Sequence, residues 1–97
     1  MSEKDEVLAV LRAALPDLQR DWPIRSLAVF GSVVRDEAKP TSDLDVLVDF
    51  ARPIALSAFL ALEDRLAGLT DRRVELVSRA ALKPYIGRQV LREAIRL

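Results

Sequence analysis

The chain has 97 residues, 51% of them hydrophobic, with 15 Lys and Arg against 15 Asp and Glu, no His and no Cys. This length predicts a single domain (1–97) too apolar to be disordered, and the zero net charge excludes the basic excess that general nucleic-acid binding requires. Without Cys or His there is no disulfide, thiolate nucleophile, imidazole base or catalytic triad, so any metal must be held by oxygen: Mg²⁺, Mn²⁺ or Ca²⁺.

Residues 3–14 read as an amphipathic helix, with Val7, Leu8, Leu11, Ala14 and Leu15 on one face, Ser2 as N-cap and acids in the first turn. Pro16 is expected to break or kink it, with a further turn running to Asp21 before Trp22-Pro23 ends it. Residues 25–30 read as a strand, Gly31-Ser32 as punctuation, 33–37 as a helical turn and 39–42 as a loop. A second strand covers 43–50, where Leu44, Val46, Val48 and Phe50 alternate with Asp43, Asp45, Leu47 and Asp49. A helix follows over 55–67, its buried side expected from Leu56, Phe59, Leu60, Leu62 and Leu66 and its C-cap from Gly68. Residues 72–78 read as a third, central strand. Residues 80–97 read as helix in two pieces divided near Pro84 or Gly87, with Val90, Leu91, Ala94 and Ile95 as an apolar stripe. This order predicts an α/β (α+β) fold: a small mixed sheet of about three or four strands, with helices mainly on one side. The charged N-terminus and the short apolar runs predict a cytoplasmic protein that touches neither membrane nor nucleic acid.

The chemistry concentrates in two stretches. Asp43 and Asp45 are two apart on a strand, so they project to one face with Cα atoms ~6.6 Å apart. Two carboxylates so placed repel, and a divalent cation resolves the repulsion. Gly31 and Ser32 follow a strand and open a helical turn. A residue without Cβ lets a phosphate approach the backbone, the amides at the turn's start can face an anion, and the Ser32 hydroxyl adds a donor. Arg35, one turn on, adds a forked positive charge. Glu75 lies between apolar Val74 and Leu76 and so faces away from them, which makes it the candidate third carboxylate. Singly, a D-x-D pair is commonly a solvated edge, a Gly-Ser a turn, and Glu75 an edge charge paired with Arg72 or Arg73. Jointly they are the equipment of phosphoryl or nucleotidyl transfer.

The stretch FGSVVRDEAKPTSDLDVLVDF, with Gly31-Ser32 ten residues ahead of Asp43-Leu44-Asp45, resembles the nucleotidyltransferase signature of the DNA polymerase beta superfamily. It is most similar there to the minimal nucleotidyltransferase (MNT) domains that occur beside HEPN proteins. The resemblance implies a polymerase beta palm-like fold. It implies that Asp43 and Asp45 bind Mg²⁺ or Mn²⁺, that Gly31 and Ser32 hold the triphosphate of ATP, and that Arg35 is the arginine following the motif serine. Glu75 would match the third carboxylate, a metal ligand that helps activate the acceptor hydroxyl. It further implies an antitoxin that transfers AMP to a tyrosine of a HEPN ribonuclease toxin, with any oligomer built through that partner. Two positions depart from the pattern: Asp36 stands where glycine is usual, and the third acid is Glu where Asp is frequent. The alternative is an antitoxin that occludes its partner without catalysis, with Ile86, Val90 and Ile95 of the last helix serving either core or interface.

Overall fold

The computed structural model describes residues 2–35, 43–82 and 84–97, of which 84–86 by their backbone. Helix α1 (Glu3–Asp21) begins at an N-cap, where the Asp5 N–H donates to Ser2 Oγ at 3.2 Å. It runs through Pro16 without a break and ends at Asp21 with Trp22 as C-cap, in line with the further turn expected to Asp21. The proline removes one amide from the ladder on an exposed face, while Leu11 and Leu18 on either side are fully buried and hold both halves on the sheet.

Four strands follow: β1 (Ile24–Phe30), β2 (Leu44–Phe50), β3 (Val74–Ser78) and β4 (Ile95–Arg96), in the spatial order β3-β2-β1-β4. β1 runs antiparallel to β2 and β4, and β2 parallel to β3. The parallel pair requires a crossover, which helix α2 (Leu56–Thr70) supplies. β3 is therefore an edge strand and not the central one expected. The Glu63 carboxylate of α2 accepts the Leu76 N–H at 3.1 Å and so covers part of that edge.

α2 departs from expectation twice. Gly68 is an interior helical residue; the helix runs on to Thr70, whose hydroxyl donates to Leu66 O at 2.8 Å, and Asp71 takes the left-handed cap at φ 53°. Leu62 and Leu66 are fully buried and Phe59 half-buried, but Leu56 is 72% and Leu60 48% exposed. Apolar residues ring the first turns of α2, so periodicity cannot tell which row faces the sheet. Phe59 meets Phe50 edge to face, with ring centroids 6.3 Å apart.

The last segment is a 3₁₀ turn (Arg79–Ala81), helix α3 (Pro84–Glu93) and then β4 rather than two helices. Ile95 leaves the expected helical stripe because its backbone pairs with Val29. Val90 is buried, Leu91 exposed and Ile95 half-buried. Val29, Leu44, Val46, Val48, Val74 and Leu76 point from the sheet toward α1 and α2 and make the main core. Ala28 and Leu47 point the other way and pack with Val90 of α3. Among the described residues, two helices cover one face and one covers part of the other. No helix among the described residues is long and apolar enough to cross a membrane.

Candidate functional site

The face that carries α3 is only partly covered, and the strand alternation sends Asp43, Asp45, Leu47 and Asp49 toward it. α3 closes over Leu47, leaving acids at either end. At one end meet the finish of β1 and the starts of β2 and β3. Register puts Asp45 opposite Phe30 on one side and opposite Glu75 on the other. The sequence fixes which face Glu75 takes; the parallel pairing of β2 and β3 brings it beside Asp45.

The two residues lie directly across the β2–β3 pair from one another. Asp45 is half-buried, and this burial, with Glu75 and Asp43 adding negative charge, pushes its carboxyl up to about 6, against a smaller opposing pull from Arg35. Glu75 is exposed, between buried Val74 and Leu76. Asp43 is exposed just before β2, within electrostatic reach of Asp45. Among the described residues no three acids already converge as a metal cage. The site's donors are hard carboxylate oxygens which, among the described residues, carry more negative charge than the neighbouring cations offset; this fits a divalent Mg²⁺ or Mn²⁺ and no softer metal.

Gly31 begins a 3₁₀ turn, Gly31–Val33, at φ +81°. Only glycine holds that angle without strain, and a Cβ here would collide with the Asp45 carboxylate. The Gly31 turn and the Asp45 carboxylate are thus packed directly against one another. The Gly31 carbonyl accepts the amides of Val34 and Arg35, at 3.1 and 3.2 Å, and Ser32 is half-buried in the turn. Six residues singled out by sequence, Gly31, Ser32, Arg35, Asp43, Asp45 and Glu75, lie at one end of one sheet face. The expected helical turn beyond Arg35, the loop at 39–42 and Asp36 lie outside the described residues.

Sequence reasoning missed Glu93, at the end of α3. Its carboxylate accepts the Gly31 N–H at 3.1 Å and pairs with Arg35 at 3.0 and 3.1 Å. Nothing in the local sequence marks it, because its partners are 62 and 58 residues away. A broad groove of about 850 Å³ lies at the opposite end of the sheet, floored by Phe50, Phe59 and Leu76 and edged by Arg25 and Arg52. A smaller hollow of about 290 Å³ sits between α1 and the end of α2. Asp43, Asp45 and Glu75 line neither, whereas Asp49 lines the groove.

The nucleotidyltransferase domain family matches residues 11–97. The protein adenylyltransferase MntA of Thermococcus cleftensis is 42% identical over 91 residues, covering 94% of this chain and 92% of that one. A solved structure described as a candidate minimal nucleotidyltransferase has a TM-score of 0.82 at 41% identity, covering 100% of this chain and 97% of its own. A complex described as tri-AMPylated Shewanella oneidensis HEPN toxin with MNT antitoxin shares the fold, with a TM-score of 0.61 at 21% identity over 97% of this chain and 67% of that one.

Proposed function

Because the chain belongs to the nucleotidyltransferase domain family, we propose that it is a metal-dependent protein adenylyltransferase, an antitoxin that moves AMP from ATP to a tyrosine hydroxyl of a HEPN-domain toxin in the cytoplasm. One observation carries the reading: the Gly31 turn packs directly on Asp45, and Glu75 flanks Asp45 from the neighbouring strand. The near full-length likeness to an adenylyltransferase and the AMPylated toxin in the structural neighbour support it.

Asp43 and Asp45, with Glu75 beside them, would hold the Mg²⁺ or Mn²⁺. Such an ion supplies charge neutralisation at the triphosphate and lowers the pKa of the acceptor hydroxyl. With the Gly31 N–H held by Glu93, the Ser32 and Val33 amides and the Ser32 hydroxyl would face the triphosphate, and Arg35 adds positive charge next to it. The acceptor oxygen attacks the α-phosphorus in line. Its bond to phosphorus forms as the bond from the α-phosphorus to the bridging oxygen of pyrophosphate breaks, and pyrophosphate leaves. The hydroxyl proton passes to Glu75, an exposed carboxylate at the rim that an incoming side chain can reach. The chain's contribution is position and charge rather than covalent chemistry.

Occlusion without transfer is the second reading, favoured by Glu75 standing where the family pattern frequently has Asp. One experiment separates the two. The chain is mixed with its HEPN partner, ATP and Mg²⁺, and the partner is weighed by mass spectrometry. Addition of AMP groups, lost with Asp43→Asn, is the expected result. A stable complex with no mass gain overturns transfer and leaves occlusion.

A further inference from the structure

Glu93 is the last residue of α3, and the antiparallel pairing of Ile95 with Val29 fixes its place. Continued past Ile95, that register sets Glu93 opposite Gly31. The backbone ladder has ended there, and the Glu93 side chain takes over as the acceptor for the Gly31 N–H. The same carboxylate binds Arg35 through both its oxygens, at 3.0 and 3.1 Å. One side chain therefore ties down both the amide at the head of the phosphate-type turn and the arginine one turn on. The Arg35 charge is still felt at Asp45, where it favours ionisation. A long guanidinium side chain beside three acids has a competing choice, to fold onto them.

We propose that Glu93 is a positioning residue that anchors Arg35 and the Gly31 amide, so that the arginine borders the acid pair without closing on it. The inference rests on the reading of Asp43, Asp45 and Glu75 as the acids that hold the metal. Anchored on Glu93, the guanidinium stays on the phosphate side of the turn, and the carboxylates stay available to a cation. Without Glu93, Arg35 competes with the cation for the acids, and the Gly31 amide loses its acceptor. The ion pair itself is one-third to one-half exposed, so its effect on folding is small.

The test uses the whole chain, Mn²⁺ and a non-hydrolysable ATP analogue, read by titration calorimetry, with thermal melting alongside. Glu93→Gln keeps the length of the side chain and an acceptor for Gly31 but loses the charge. It is expected to melt close to the wild type and to bind Mn²⁺ with the analogue ~10-fold more weakly, as when a ligand's supporting partner is removed. In an Arg35→Ala background the same substitution is expected to have no further effect, because Glu93 acts through the arginine. Glu93→Ala, which also strips the Gly31 acceptor, is expected to weaken binding more. Wild-type affinity in Glu93→Gln, or an equal loss in both backgrounds, overturns the inference. A wild-type chain that binds no Mn²⁺ with the analogue overturns the reading beneath it, and this one with it.

Discussion

Asp45 and Asp49 sit on one strand, on one face, four residues apart, and the fold treats them in opposite ways. Asp49 has Arg25 at 3.8 Å and Arg79 at 3.5 Å, so its charge is answered within the chain. Asp45 faces Glu75 and Asp43, with Arg35 as a weaker counterweight. Asp49 closes the far end of the face and helps fasten the 3₁₀ turn after β3 to the sheet. Among the described residues, Asp45 is set against more negative than positive charge at the near end. Local sequence chemistry is the same for the two residues; the neighbours that the sheet brings across decide which carboxylate is paired with arginines and which is set among other acids.

The comparison breaks most visibly in activity. Asp45→Asn should reduce AMP transfer at least ~100-fold by removing a carboxylate of the proposed metal site, whereas Asp49→Asn should stay within about twofold of the wild type. Radiolabelled AMP transfer to the partner measures both. Comparable losses would mean that the two ends share one function.

Gly31→Ala sharpens the claim that turn and acid are packed as one unit. The left-handed angle and the collision with Asp45 should cost about 1–3 kcal/mol of stability. Nucleotide affinity should fall with it, both read from melts run with and without ATP and Mg²⁺. An unchanged melt and affinity would show the contact to be dispensable.

Stability without metal should invert the order seen in activity. The Asp45 carboxyl is raised from 3.8 to about 6 in the folded chain, so the folded state keeps a proton that the unfolded state releases between those values. The stabilisation is fully present below 3.8 and is lost as pH rises through about 6. In a chelator, the melting temperature should fall over that window and level off above it. Asp45→Asn should flatten the dependence and melt higher than the wild type at neutral pH. Asp49→Asn should melt slightly lower, by under about 1 kcal/mol, because its arginines are largely solvated. A flat pH profile in the wild type would remove the electrostatic half of the comparison.

Much of the site was legible in the chain before any fold was known. Alternation along 43–50 put both aspartates on one face, and Val74 and Leu76 turned Glu75 away from the core. What failed was what local pattern cannot carry. Gly68 looks like a helix stop, but the helix continues and Asp71 takes the left-handed cap. Leu56 and Leu60 look buried, but the row through Phe59, Leu62 and Leu66 meets the sheet. Glu93 shows no sign of function until β4 pairs with β1 and carries it to Gly31.

The sequence by itself determined periodicities: which residues alternate, where a Cβ is missing, and which acids share a strand face. These follow from the backbone's own repeat, which needs no partner. Only the tertiary structure decided adjacency. Strand order and register are set by burial of Val29, Val46, Leu76 and their helices, a term that sums over the whole core. That sum placed Glu75 beside Asp45, Arg25 and Arg79 beside Asp49, and Glu93 under the turn at Gly31.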